Sequence, residues 1–293
     1  MAQHEPATNR SLAAGIQWDS AMQTDLPNIA QLKSGMKATW MAGDFGQIAN
    51  FTAEEASRFV ERLEIKAGSQ VLDVACGTGN TAIPAAKRGA HVTGVDIATN
   101  LLEQAKKRAE AERLQVRFEE GDAEDLPYPD HSFDVVMTMF GAMFAPRPDR
   151  VAAELLRVSK PGGMIAMANW TPQGFVGKTF QATAKLVPPP PGIAPPVLWG
   201  DETVVKQRLG QGTEKVNCVP RTVRFAYPFP PKEVVQFFRR YFGPTQMAFS
   251  KLDAAGQATL AAQMESLWAE HNMATDGTTQ VEGEYLEVRA FRA

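Results

Sequence analysis

Val71-Leu72-Asp73-Val74-Ala75-Cys76-Gly77-Thr78-Gly79-Asn80 is the stretch that decides the fold. An apolar run leads straight into a Gly-x-Gly turn, and a helical pattern follows. Strand, glycine turn and helix form the opening unit of a parallel α/β sheet. That unit brings backbone N–H groups and a helix N-terminus up to a ligand. Gly77 and Gly79 carry no side chain, so the backbone can approach closely. The next apolar run, Val92-Thr93-Gly94-Val95-Asp96, ends in a carboxylate able to accept hydrogen bonds from both hydroxyls of a ribose.

Asp73 refines the ligand. A pyrophosphate gains nothing from a neighbouring carboxylate, whereas an ammonium group does. The third glycine of the dinucleotide fingerprint is Ala82 here, still small enough for close packing. Asp73, Gly77, Gly79 and Asp96 therefore suit S-adenosylmethionine, which carries an ammonium, a ribose and a sulfonium, better than a dinucleotide. Asp73 to Gly79 resembles the first motif of the class I S-adenosylmethionine-dependent methyltransferases. Val92 to Asp96 is similar to their second motif. Glu120-Gly121-Asp122-Ala123-Glu124-Asp125-Leu126-Pro127-Tyr128 resembles their adenine block. Phe133-Asp134-Val135-Val136 and Leu156 to Gly163 resemble the fourth strand and the turn before the fifth. The resemblance covers roughly residues 70 to 170, the extent of one domain, and its flavour is that of the small-molecule branch, including quinone methyltransferases.

The resemblance implies an α/β, Rossmann-like, doubly wound sheet of seven mostly parallel strands. Its last strand is antiparallel, helices cover both faces, and a helical lid completes it. S-adenosylmethionine is the implied cofactor. Ala75, Gly77, Thr78 and Gly79 form the binding turn, and Asp73 reaches the ammonium directly or through water. Asp96 accepts the ribose hydroxyls, Asp122 the adenine amine, and the Ala123 N–H meets the ring. Ile97 faces adenine or joins the core. Phe140, with Met139, edges an apolar acceptor pocket or belongs to the core. Trp40, in the segment Lys37–Phe45, is expected to face the sulfonium through a cation–π contact of about 0.5–2 kcal/mol. Phe45 is the alternative there, or a docking contact. Glu124 is expected at the surface or capping a helix. Cys76 reads as a packing residue and not a nucleophile.

Methyl transfer from a sulfonium is an in-line displacement that needs alignment and dryness more than acid–base machinery. No carboxylate pair or metal-ligand cluster stands out, and no catalytic residue is assigned. His271 is the histidine to consider as a base, since His91 and His131 read as solvent-facing. The leading reading is transfer to a small, partly apolar organic acceptor. A ubiquinone- or menaquinone-type C-methyltransferase and a non-catalytic S-adenosylmethionine-binding module are the alternatives. The net charge of −3 leaves no electrostatic footprint for nucleic acid. The segment after the fourth strand, Met139-Phe140-Gly141-Ala142, also lacks the Asn/Asp-Pro-Pro-aromatic block of enzymes that methylate base amines. A second copy of the chain stays open as a partner.

The 293 residues, 44% hydrophobic, supply an ample core, and two cysteines imply no disulfide framework. No secretory signal or bilayer-length apolar run is visible, so a cytoplasmic protein is expected. The reading divides the chain into an N-terminal helical cap over 1–65 and a methyltransferase domain over 66–293, with lid insertions within 171–280. Residues 1–10 read as mobile and 11–65 as helices broken at Pro27, Gly35 and Gly43. Thr52 and Glu55 read as a capping box. Strands are expected near 70–75, 91–96, 116–120, 133–139, 164–170, 222–229 and 285–292. Helices are expected over 175–187, 201–209, 232–242 and 253–273, with a stiff proline-rich surface segment over 188–196.

Overall fold

β1 (Gln70–Val74) is an interior strand of the sheet, with Val71, Leu72 and Val74 fully buried. That burial is typical of a parallel strand covered on both faces. In the computed structural model, which describes residues 28–293, β1 lies parallel between β2 (His91–Asp96) and β4 (Phe133–Met139). β3 (Val116–Glu120) follows β2, and β5 (Ser159–Trp170) follows β4, both in parallel. β7 (Thr279–Arg292) then lies antiparallel between β5 and β6 (Thr213–Tyr227). The sheet order is β3-β2-β1-β4-β5-β7-β6. The chain thus has the seven-stranded Rossmann-like sheet expected of it, antiparallel last strand included.

Helices cover this sheet for ordinary reasons of periodicity. In α5 (Thr99–Ala111), Leu101, Leu102, Ala105 and Ala109 recur along one face and are buried. Burying each leucine stabilises the fold by about 1.5–3 kcal/mol. α6 (Pro148–Val158) starts with Pro148 at its first turn, where a missing N–H costs nothing. α4 (Ala82–Lys87) packs small residues, Ala82 and Ala85, close to the strands.

Ahead of β1 lie α1 (Ile29–Met41), α2 (Phe45–Ala49) and α3 (Ala53–Arg62). α1 runs unbroken through Gly35, against expectation, because one exposed glycine costs a helix only about 1 kcal/mol. The break does fall at Gly43, which takes φ +72°. The Thr52–Glu55 capping box does not form: the Thr52 hydroxyl donates to the Ala49 carbonyl, and Glu55 turns inward to Arg62 and Tyr285. A buried ion pair outweighs a local cap there. The readings for residues 1–27, a mobile start and helix up to Pro27, lie outside the described residues.

After β5 come α7 (Phe175–Leu186), an exposed proline-rich stretch, and α8 (Glu202–Leu209), capped by Asp201 as expected. β6 begins nine residues before the expected start, at Thr213 and not Thr222, and β7 at Thr279 and not Tyr285. The two pair along their full length. The first part of β6 is an edge whose polar residues lack alternation, so its pattern gave no strand signal. Between β6 and β7 lie α9 (Pro231–Tyr241), α10 (Gly243–Ser250) and α11 (Ala254–Glu270). α10 was not foreseen. Gly243 opens it against α1, where an added Cβ would sit 1.8 Å from the Thr39 carbonyl oxygen. Among the described residues no helix is long and apolar enough to cross a membrane.

Candidate functional site

The strand order reverses between β1 and β4, and the crevice at their C-terminal ends is where such sheets take ligands. The turn after β1 lines it in an unusual backbone: Ala75, Gly77 and Gly79 adopt φ of +56°, +52° and +82°. For Ala75 that conformation costs on the order of 1 kcal/mol, so the surroundings must enforce it. They do. The Cys76 N–H donates to Val95 O at 3.1 Å and the Gly79 N–H to Cys76 O at 2.9 Å. From α5, Arg108 donates to Thr78 O at 2.6 Å and to Asn80 Oδ1 at 2.8 Å. Gly141, after β4, passes so close that a Cβ there would lie 2.5 Å from Ala75 O.

Asp96 is held at the same point. Its Oδ2 accepts the Gly77 N–H and its Oδ1 the Ala98 N–H, both at 2.8 Å. Burial pushes its carboxyl upward, and those N–H groups oppose the shift. Each oxygen keeps lone-pair capacity for a further donor. The carboxylate is thus fixed in orientation and free to accept.

Above it opens a cavity of about 680 Å³. Ala75, Gly77, Thr78, Asp96 and Ile97 line it, as do Asp122 and Ala123 after β3, Phe140 after β4, and Trp40 of α1. The fold therefore brings nine of the eleven expected residues to one cavity. Asp73 and Gly79 stand behind it. Gly79 packs under the turn, where a Cβ would meet Phe118, Ala105 and Ile83 at 3.3–3.4 Å. Asp73 is fully buried, and the Thr81 hydroxyl donates to its Oδ2 at 2.6 Å. Its Oδ1 has no partner among the described residues. Burial pushes the Asp73 carboxyl up to about 7 despite the Thr81 bond. Cys76 is buried and its thiol is pushed up by the same cause, which suits a packing role.

Two features of these walls were not legible beforehand: the ionic seat of α1 and the stack behind Phe140. α1 lays Lys33 on Asp122 and on Glu124 (2.6 Å), and Lys37 on Glu120. Glu124 is a correction to the sequence reading: it is fully buried, accepting the Arg147 N–H at 2.6 Å and Arg147 Nε at 2.7 Å. Nothing in the local pattern of Glu124 announces a partner twenty-three residues away. On the other side Phe140, at φ +58°, stacks flat on Trp170 with centroids 3.6 Å apart and meets the edge of Tyr285. The Tyr285 hydroxyl donates to Glu55 at 2.6 Å, and Arg62 joins Glu55, Tyr285 and Glu287. Burial alone would raise Glu287, but Arg289 and Arg62 hold it below its ordinary range.

Past Phe140 lies a second, inner chamber of about 110 Å³, sharing Trp40, Phe45, Phe140 and Phe144 with the first cavity. Trp40 meets Phe45, Phe144 and Phe242 edge-on at 5.0–5.8 Å between centroids. His271 lines neither space. Its Nδ1 faces Leu267 O at 3.0 Å and its Nε2 faces Lys178 Nζ at 3.1 Å. His91 and His131 are exposed, as their positions implied.

The outer cavity has the volume of a small-molecule site, which is roughly 300–1,000 Å³. An oriented carboxylate, a turn of approachable backbone and a half-buried Ile97 fit the ribose, amino-acid end and base of S-adenosylmethionine. A methyltransferase domain family matches residues 71–163. An uncharacterised protein of Mycobacterium tuberculosis is 36% identical over 247 residues, 83% of this chain and 89% of that one. Methyltransferase GfsG of Streptomyces halstedii is 42% identical over 128 residues, 43% of this chain and 46% of that one. Among solved structures, the YcgJ protein of Bacillus subtilis shares the fold at a TM-score of 0.57 and 18% identity, over 82% of this chain and 98% of that one. With the motif block, the sheet order and these relatives in agreement, the chain belongs to the class I S-adenosylmethionine-dependent methyltransferases.

Proposed function

We propose that this methyltransferase acts on a small, partly apolar organic acceptor. The observation that carries the reading is the pairing of a largely apolar outer cavity, whose few polar groups include Asp96, with an aromatic inner chamber across Phe140. S-adenosylmethionine supplies an already activated methyl group. The chain's residues then bind, orient and shield. Asp96 accepts the ribose hydroxyls, while the turn from Ala75 to Gly79 offers backbone groups to the amino-acid end. Asp122, Ala123 and Ile97 hold the base. Asp73, behind the turn, supplies negative charge toward the ammonium across one layer of backbone or through water. Trp40 and Phe140, which line both spaces, keep water from the reacting atoms and align them. α1, lying over the rim, closes the adenine side.

Calorimetry with S-adenosylmethionine tests the donor half. Micromolar binding that Asp96→Ala weakens about a hundredfold supports it, since two hydrogen bonds to a charged acceptor are lost at about 1.5 kcal/mol each. Unchanged binding in Asp96→Ala would refute the assignment.

A further inference from the structure

The two cavities meet at a junction lined by Trp40, Phe45, Ala49, Thr52, Phe140 and Phe144, the residues common to both. A methyl group passing from a donor in the outer cavity to an acceptor in the inner chamber crosses this junction. Four of the six residues are rings, and none of the six is ionisable. The Thr52 hydroxyl donates to Ala49 O at 3.0 Å, so its proton is already placed. The ring of Trp40 stands at 88° to Phe45 and at 65° to Phe144, so the walls turn a corner instead of forming one flat stack. Beyond the junction the inner chamber continues in kind: eleven of its nineteen lining residues are aromatic, and none is ionisable among the described residues.

An acceptor must offer a lone pair, and its proton and charge decide which kinds suit these walls. A neutral hydroxyl, thiol or C–H acceptor sheds a proton on methylation, and no lining side chain among the described residues can take one. An acceptor that arrives as an anion loses its hydration, finds no countercharge and meets the negative faces of rings. An alkylammonium suits the rings, but its lone pair is bound to a proton. Its pKa lies near the ~10.4 of lysine, so it stays protonated at about pH 8. A heteroaromatic ring nitrogen escapes all three objections. Like imidazole, with a pKa of about 6.5, it is mostly unprotonated at about pH 8, and it then carries no hydrogen to lose. Methylation turns it into a cation, the charge that aromatic faces favour. The chamber's volume of about 110 Å³ is close to the ~150 Å³ of an apolar cavity that holds benzene, so one ring fits.

We propose that the inner chamber takes an uncharged heteroaromatic compound, presents its ring nitrogen at the junction and releases it as the N-methyl cation. The chemistry rests on the donor reading of the outer cavity; the chamber's preference in binding does not. The nitrogen lone pair forms the new N–C bond as the S–C bond breaks, and the sulfur keeps the electron pair of the bond it gives up. The positive charge passes from sulfur to nitrogen, and no proton moves. The rings that border the sulfonium therefore also border the product's charge, and the step needs no base.

Three rings of similar shape and different charge test this by calorimetry: 1-methylpyridinium, toluene and benzoate. Each is titrated into the protein alone and into the protein saturated with S-adenosylhomocysteine. 1-Methylpyridinium is expected to bind at least about tenfold tighter than benzoate. Phe144→Leu keeps an apolar side chain and removes a ring. It is expected to weaken 1-methylpyridinium binding about fivefold and toluene binding no more than about twofold. Phe180→Leu is expected to show the same pattern from inside the chamber, where Phe180 meets Phe144 edge-on at 5.8 Å, and serves if Phe144→Leu loses the parent's urea midpoint. In turnover, S-adenosylmethionine and pyridine are expected to yield 1-methylpyridinium at a rate that levels off above about pH 7, because no proton is removed. Benzoate binding as tight as that of the cation, equal losses of cation and toluene in the variants, or methylation of 4-methylphenol in preference to pyridine overturns the proposal. A preference for the cation in a protein that does not bind S-adenosylhomocysteine would instead overturn the donor reading and leave the chamber's preference standing.

Discussion

The two cavities share the rings of Trp40, Phe45, Phe140 and Phe144 and differ in what else lines them. The outer one adds a strained turn and charges: Asp96 and Glu120 from strand ends, Asp122 just after β3, Lys33 and Lys37 from α1. The inner one is walled by aromatic rings carried on α7, α9 and α11, on the antiparallel half of the sheet and on the segments around α2. The first offers fixed hydrogen-bond directions. The second offers shape and aromatic surface, with no ionisable side chain among the described residues. A methyltransferase needs both, because the donor is an ion with many polar groups while the reaction centre must be dry. The boundary between them is the Phe140–Trp170 stack, held from behind by Tyr285 and the Glu55–Arg62–Glu287 cluster.

That contrast can be broken in four places. The largest effect is expected at Asp96: Asp96→Ala weakens S-adenosylmethionine binding about a hundredfold in calorimetry. Binding within about threefold of the parent would mean that the outer cavity does not recognise its ligand through this carboxylate. Next is the support behind the boundary. Glu287 is 1% exposed and is held by Arg62, Arg221 and Arg289. Glu287→Ala strands these cations and is expected to destabilise the fold by about 3 kcal/mol in urea denaturation. A change under 1 kcal/mol would show that the cluster does not brace the wall.

A smaller effect comes from Trp40, which borders both spaces. Trp40→Ala is expected to weaken sulfonium donor binding about fivefold, the worth of a cation–π contact near 1 kcal/mol, and S-adenosylhomocysteine binding less. Equal losses for both ligands would reduce Trp40 to apolar packing. The smallest is a pH effect at Asp73, whose carboxyl stands near 7 instead of 3.8. A raised carboxyl pKa means that the folded state holds the proton more tightly than the unfolded chain. Its contribution to stability is therefore full below about 4 and is lost as pH rises through about 7. Ligand binding runs the other way. Above pH 7 the carboxylate is charged and favours an ammonium, so donor affinity is expected to rise a few-fold between pH 6 and 8. Asp73→Asn should flatten that rise; a profile unchanged by the substitution would remove Asp73 from the donor site.

The same division explains what the sequence disclosed. Gly77, Asp96 and Asp122 sit at fixed offsets from strand ends, because backbone geometry dictates which groups can reach the crevice. Such rules leave a local trace, and the outer wall was readable from it. The inner chamber has none. Phe175, Phe238 and Trp268 lie far apart in sequence, and each looks like an ordinary core residue until the helices pack. Glu124 and Lys33 meet across ninety-one residues, a pairing that no local pattern encodes. Thr52 misled for the converse reason: a correct local motif lost Glu55 to a partly buried arginine.

One feature of α1 sets how this enzyme meets its surroundings. None of that helix's residues is buried; its Lys33 and Lys37 stretch grips Glu120, Asp122 and Glu124 through ionic contacts, while Trp40 and Thr39 pack its other end on Phe144, Phe242 and Gly243. Dissolved electrolyte weakens such attractions over a Debye length of about 8–10 Å, while leaving greasy contacts intact or tighter. Sodium chloride at molar strength should therefore loosen the cover without softening the body beneath it. Stopped-flow traces would then record faster donor escape while the urea midpoint holds steady.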